Sequence, residues 1–146
     1  MDRMLGNRYF LTGKFNEAIP HLEKTLSTHP DEVATLKKLM ICYVASENIE
    51  RALTKLDVLL THVPEQLFTG KPGNNDCPCP ELLEQWTATP PGTLTSLDYL
   101  LGMGLLALFC DVGLASRSFT EAKKLAPDME ILDKVLKLCA AQLENK

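Results

Sequence analysis

Residues 5–30 read LGNRYFLTGKFNEAIPHLEKTLSTHP, and residues 39–64 read LMICYVASENIERALTKLDVLLTHVP. The second stretch repeats the pattern of the first. Several positions carry the same residue type in both stretches, always at the same separation, among them Leu5 and Leu39, Tyr9 and Tyr43, Ala18 and Ala52, Leu22 and Leu56, and Pro30 and Pro64. A fixed period of this length is typical of helical repeats that stack on one another.

Each period divides into two helical patterns with a turn between them. Leu5 and Tyr9 share one helical stripe, and Ala18 and Leu22 share another. Gly13 suits the left-handed residue that ends a helix. The pattern predicts helices over residues 2–12 and 16–28 in the first period. In the second period it predicts one helix that ends at about residue 46 and another that ends at about residue 62. Asn16, Asp31 and Asn48 are the candidate N-caps of the last three of these helices.

This pattern resembles the tetratricopeptide repeat family, whose consensus is Trp-x2-Leu-Gly-x2-Tyr, then Ala-x3-Phe, then Pro. The matching residues are Leu5, Gly6, Tyr9, Gly13, Ala18, Leu22 and Pro30 in the first repeat, and Leu36, Leu39, Tyr43, Ala52, Leu56 and Pro64 in the second. Met40 and Glu47 stand where glycine is usual. The resemblance implies an all-α fold, a right-handed solenoid of helical hairpins.

The regular pattern stops after Pro64 and returns in a weaker form near the C-terminus. Ala115, Phe119 and Pro127 have the spacing of Ala18, Leu22 and Pro30. We therefore predict one domain of about three repeats with an insertion after the second. Its parts are repeat 1 (about 1–31), repeat 2 (32–65), an inserted loop with a short helix (66–92), repeat 3 (93–127) and a capping helix (128–144).

Three details of the third repeat and the capping helix can be predicted. The first helix of the third repeat should span residues 99–110, and Gly113 should cap the end of that helix. Gly102 and Gly104 each weaken a helix by about 1 kcal/mol relative to alanine, so we expect them to permit close helix contact. An apolar stripe predicts which face of the capping helix packs on the stack: Ile131, Leu132, Val135, Leu138, Cys139 and Leu143.

Composition narrows the classes of partner and compartment. The 146 residues carry a net charge of -4, so the sequence lacks the excess of basic residues that is typical of nucleic-acid-binding proteins. The longest apolar run is too short to span a bilayer, so we expect no membrane segment. Five cysteines, mostly within helical patterns, suit free thiols in the reducing cytoplasm. We therefore expect a cytoplasmic protein.

The family resemblance implies a concave groove lined by the first helix of each hairpin. An apolar groove between helices suits a peptide or helix of a partner protein, so we predict a non-catalytic scaffold, adaptor or chaperone-like module. Alternatively, the insertion or the capping helix fills the groove. The candidate groove residues are Arg3, Asn7, Phe10, Leu11, Lys37, Lys38, Ile41, Val44, Leu97 and Leu101.

Arg3 and Asn7 also resemble part of the carboxylate clamp by which some family members bind an acidic C-terminus. A guanidinium and an amide on successive turns of one helix both donate to a carboxylate. The second and third repeats depart from the clamp pattern, because Lys38 replaces an asparagine there and leucines replace the expected Lys and Arg. The alternative is that Arg3 and Asn7 do not form a clamp and are polar residues that solvate the inner face of the repeats.

Two alternatives remain open. The first is self-association into a homodimer. The second is metal or redox chemistry at Cys77 and Cys79, a weak candidate because a closed zinc site needs four ligands and the chain offers one pair. We expect that the protein binds no cofactor and is not an enzyme, since catalytic motifs such as Gly-x-Ser-x-Gly do not occur. Trp86, in the short insertion helix over 81–87, anchors the core, plugs the groove or anchors a partner.

Overall fold

The computed structural model describes residues 2–30, 32–62, 64–68 and 79–144, without the side chains of residues 2, 3, 66 and 79. Within these ranges the regular secondary structure is helical and contains no strand, which confirms the predicted all-α fold. The helices are α1 (Asp2–Leu11), α2 (Phe15–Thr28), α3 (Val33–Ala45), α4 (Ile49–His62), α5 (Cys79–Ala88), α6 (Ser96–Ala107), α7 (Val112–Leu125) and α8 (Glu130–Glu144), with a 3-10 turn at Pro64–Gln66.

The described residues group into two compact units. The first unit extends from α1 through the 3-10 turn to Leu67, and the second holds Phe68 and helices α5 to α8. The arrangement of all three repeats as one right-handed stack stays a prediction, and so do the domain boundaries.

The first unit consists of two helical hairpins. Helix α1 packs on α2, α2 on α3, and α3 on α4. The recurring positions of the second helix of each hairpin form the core, because Ala18, Ala52, Leu22 and Leu56 are each at most 1% exposed. In the first helices, Leu39 and Tyr43 are buried, whereas Leu5 and Tyr9 are half-buried.

Both hairpins of this unit turn in the same way. Gly13 has φ +79°, which confirms the predicted left-handed residue at the end of α1. Glu47, at the same position of the second repeat, has φ 64° although it is not a glycine. In each turn the N–H of the next residue donates to the carbonyl of the repeat's tyrosine, at 2.8 Å for Tyr9 and 2.7 Å for Tyr43. These backbone hydrogen bonds keep the second turn in the conformation that the first adopts with glycine.

The predicted N-caps have different outcomes. Asn48 caps α4, since its Oδ1 accepts from the N–H of Arg51 at 3.3 Å. The prediction for Asn16 is wrong, because α2 begins one residue earlier and makes no side-chain cap. The Oδ1 of Asn16 instead accepts from the hydroxyl of Ser46 at 2.7 Å, beyond the end of α3. Asp31 lies outside the described residues.

The second unit is built around the hairpin of α6 and α7. Helix α5 packs on α6, and α8 packs on α7. Ala115, Phe119 and Ala122 are each 0% exposed, as expected from their spacing. A Cβ on Gly104 would lie 2.6 Å from Cε1 of Phe119, so this glycine permits the predicted close contact between α6 and α7. In α8, the buried part of the apolar stripe is Leu132, Val135 and Cys139.

Two predictions about this hairpin are wrong. Helix α6 starts and ends three residues earlier than predicted, at Ser96 and Ala107. It starts there because the Thr95 hydroxyl oxygen accepts from the N–H of Asp98 at 3.1 Å and caps the helix. Gly113 does not end α6 but lies inside α7. The cap of α7 is Asp111, whose Oδ1 accepts from the N–H of Leu114 at 3.1 Å.

Candidate binding surface

The first helices of the two hairpins in the first unit are joined by a polar contact. The Nζ atom of Lys38, on α3, donates to Oδ1 of Asn7, on α1, at 2.8 Å. The same Nζ lies 6.0 Å from the centre of the Phe10 ring. The long, flexible lysine side chain therefore extends from one repeat to the next, above an aromatic ring whose face attracts a cation.

The ten candidate groove residues differ in exposure. Four are buried: Phe10 (2% exposed), Ile41 (4%), Val44 (0%) and Leu101 (1%). These four belong to the core, because their surroundings cover them. Leu11 is 54% exposed, and the remaining candidates with described side chains, Asn7, Lys37, Lys38 and Leu97, are half-buried. The side chain of Arg3 lies outside the described part of the chain.

The accessible candidates in the first unit are Asn7, Leu11, Lys37 and Lys38, which we name the α1–α3 surface. Leu97 and Leu101 belong to the second unit. Burial lowers the pKa of Lys37, because the charged ammonium loses part of its hydration. The surface combines two lysines and an amide with one exposed leucine, so its chemistry suits a ligand with a carboxylate and an apolar side chain.

A second polar cluster joins α2, α3 and α4. The hydroxyl of Tyr43 donates to the carboxylate of Glu23, and Nη1 of Arg51 lies 3.6 Å from the same carboxylate. Burial, followed by the hydrogen bond to Glu23, raises the pKa of Tyr43. The tyrosine therefore stays protonated at neutral pH and serves as a hydrogen-bond donor. This cluster links the two hairpins.

The cysteines give no described metal site. Cys77 and the side chain of Cys79 lie outside the described residues, so metal or redox use of this pair stays a prediction. Elsewhere in the described ranges, no three His, Cys, Asp or Glu side chains are placed to hold a metal ion. Burial raises the pKa of Cys42 to about 12 and that of Cys139 to about 11, so both thiols are protonated and unreactive at neutral pH.

Trp86 has a partner that the sequence did not indicate. Its ring stacks on the ring of Tyr99, with centres 5.9 Å apart and planes inclined by 15°. The Tyr99 hydroxyl also donates to the backbone carbonyl of Trp86 at 3.2 Å. Trp86 and Leu82 are four residues apart and share a face of α5, but no sequence pattern pairs an insertion-helix residue with a residue of the next helix across a turn.

Residues 9–67 match the family model described as Tetratricopeptide repeat. This part of the chain carries tetratricopeptide repeats. The matched stretch lies within the first unit and contains both hairpin turns, the buried repeat positions and Lys38. Tetratricopeptide repeats generally mediate interactions between proteins. No match to the chain was found among curated proteins or solved structures.

Over residues 2–30, 32–62, 64–68 and 79–144, none of the helices has both the length and the apolar character needed to cross a bilayer.

Proposed function

We propose that this tetratricopeptide repeat protein is a non-catalytic binding module, acting as a scaffold, adaptor or chaperone-like subunit. Its α1–α3 surface holds a segment of a partner protein that carries a carboxylate. The observation that supports this proposal is the contact between Lys38 and Asn7, which places a cation and an amide of successive repeats side by side.

The chemistry of these two residues favours an acidic ligand. The Lys38 ammonium carries three N–H donors and the Asn7 amide carries two, while the Lys ammonium accepts nothing. A hydrogen bond from a charged donor contributes about 1.5–3 kcal/mol. Leu11, 54% exposed on the same helix as Asn7, offers an apolar contact beside the charge. A terminal or side-chain carboxylate next to an apolar residue fits this combination.

The proposal includes a cytoplasmic setting. The buried thiols of Cys42 and Cys139 support it, because free cysteines are typical of proteins in a reducing compartment.

A peptide library tests the proposed ligand chemistry. Fluorescent peptides with a free C-terminal carboxylate, and the same peptides amidated, are titrated into the full chain, and binding is measured by anisotropy. We expect carboxylate peptides to bind at least about tenfold more tightly than amidated ones, and Lys38→Glu to abolish that preference, because it places a like charge at the ligand.

Lys55→Glu, on α4 of the same unit, is the matched control and should leave binding unchanged. Circular dichroism checks that both variants keep their helical content. If no peptide binds, or if both lysine variants lower affinity equally, the proposed surface is wrong.

Self-association is a second candidate, favoured by the exposed apolar residues of α1. Met4 is 74% exposed and Leu11 54%, and they lie two helical turns apart on one face. Sedimentation of the full chain over a range of concentrations tests it. A dimer that Met4→Lys/Leu11→Lys converts to a monomer would support this candidate, and a monomer at every concentration would exclude it.

A further inference from the structure

Helix α5 is a short amphipathic helix with two apolar anchors. Leu82 (8% exposed) and Trp86 (6%) lie one helical turn apart and are both buried. Glu81, Glu84 and Gln85, between and beside them, are exposed. Helix α5 has little stability of its own, because isolated helices shorter than about 12–15 residues are marginal in water. It therefore depends on the surface it packs against.

That surface is the beginning of α6. Tyr99 provides a ring for Trp86 to stack on and a hydroxyl that donates to the Trp86 carbonyl. In contrast, α6 contacts α7 through Gly104, more than one helical turn further along. The Tyr99 contacts with α5 and the Gly104 contact with α7 therefore lie at different positions along α6.

Helix α5 does not cover all of the apolar surface near Tyr99. Beside Tyr99, an open hollow of about 440 Å³ is lined by Pro90, Pro91, Leu94, Thr95, Ser96, Tyr99 and Leu100. The lining is mostly apolar, and Tyr99 forms part of both this hollow and the contact with Trp86. A longer helix placed on Tyr99 has additional apolar surface to contact there.

We propose that α5 is a built-in ligand of α6 and that an amphipathic helix of a partner protein replaces it. The partner helix carries an aromatic residue four positions after a leucine, as Leu82 and Trp86 do in α5. This site lies in the second unit and is distinct from the α1–α3 surface. Because α5 is tethered, it competes at an effective concentration of about 1 mM, so a partner must bind well enough to displace it.

This competition gives α5 a regulatory effect. The observed affinity of a partner equals its intrinsic affinity for α6 multiplied by the fraction of molecules in which α5 is released. A change that weakens α5 docking therefore increases partner affinity without altering α6.

The only tryptophan of the sequence gives a direct readout, because Trp86 emission shifts to the red when its ring moves from a buried site into water. The probe is a synthetic peptide of residues 80–90 carrying Trp86→Phe, so that only the protein emits. We expect titration with this peptide to give a saturable red shift in the full chain. In a Leu82→Ala chain, the peptide concentration at the midpoint of the titration should be at least about tenfold lower, because the tethered helix has lost one anchor.

Glu84→Ala, on the exposed face of α5, is the control and should leave the midpoint unchanged. If Leu82→Ala lowers the helicity of the chain, Leu82→Val takes its place, since it shortens the anchor on α5 and leaves α6 unchanged. Hydrogen exchange should show α5 exchanging faster than α6 and α7. The proposal is overturned if the emission stays constant up to millimolar peptide in both chains while urea shifts it, or if α5 exchanges together with α6 and α7.

Discussion

At the scale of single residues, Gly104 determines how closely α6 approaches α7. A Cβ there would lie 2.6 Å from the ring of Phe119, which is fully buried. We expect Gly104→Ala to lower the free energy of unfolding by about 1–3 kcal/mol, the usual range for overpacking a core. Urea denaturation followed by circular dichroism measures this change.

Gly6→Ala is the comparison for this prediction. Its Cβ would lie 2.9 Å from Cδ2 of Leu22, the end of a side chain that can change its rotamer, so a smaller loss is expected. The double variant Gly104→Ala/Phe119→Leu should recover part of the stability by removing ring atoms at the point of contact. An equal loss for both glycine variants would contradict this account of the α6–α7 contact.

Because the thiols of Cys42 and Cys139 are buried, we expect the stability of the fold to decrease at alkaline pH. Their folded pKa values, about 12 and about 11, lie above those of thiols in the unfolded chain, about 8.5. Between these values the unfolded state releases protons that the folded state retains. The free energy of unfolding should therefore be unaffected by these groups below about pH 8.5 and fall as pH rises toward 11.

Urea denaturation at pH 8, 9, 10 and 11 measures the dependence, with Cys42→Ala/Cys139→Ala as the control. The control should lose less stability than the wild type over this pH range, after allowance for its lower starting stability. Identical slopes in the two chains would show that the thiols do not cause the effect.

At the scale of secondary-structure elements, α2 contains a proline in its interior. Pro20 is exposed and lies beyond the first turn of the helix, where it has no N–H to donate to the carbonyl of Asn16. We expect Pro20→Ala to raise the free energy of unfolding by up to about 3 kcal/mol.

The equivalent position in the second repeat provides the control for this change. Thr54, which occupies that position, is exposed in α4, and Thr54→Ala should change stability by less than about 1 kcal/mol. Thermal melting of both variants compares the two helices. If Pro20→Ala gives no gain, then α2 is distorted for another reason.

At the scale of the whole molecule, the two compact units should differ in their response to a local cavity. Leu22, in the first unit, and Phe119, in the second, are each at most 1% exposed. Truncating either to alanine is expected to cost about 2–5 kcal/mol. We expect Leu22→Ala to accelerate hydrogen exchange in α1 to α4 and leave α6 to α8 protected, and Phe119→Ala to have the converse effect.

Hydrogen exchange with mass spectrometry resolves the helices of each unit. Uniform acceleration along the chain in either variant would contradict this prediction and indicate a single cooperative unit.

The sequence by itself determined the helices of the first unit and their core. Buried positions recur at the same place in each repeat, and Gly13 and Asn48 mark the ends of helices through local backbone and side-chain hydrogen bonds. These features follow from residues that are close in the chain, so periodicity and capping preferences suffice to predict them. The start of α6 at Ser96 was not predicted, because the apolar pattern begins at Tyr99 whereas Thr95 caps the helix.

The tertiary structure alone decided which candidate residues are accessible and which contact one another. Phe10, Ile41, Val44 and Leu101 belong to the core, although a helical pattern cannot distinguish them from residues that line a groove. The Lys38–Asn7 and Trp86–Tyr99 contacts join different helices. Contacts of this kind depend on how helices pack and on the rotamers of long side chains. Packing joins residues that are distant in the chain, so no local pattern encodes it.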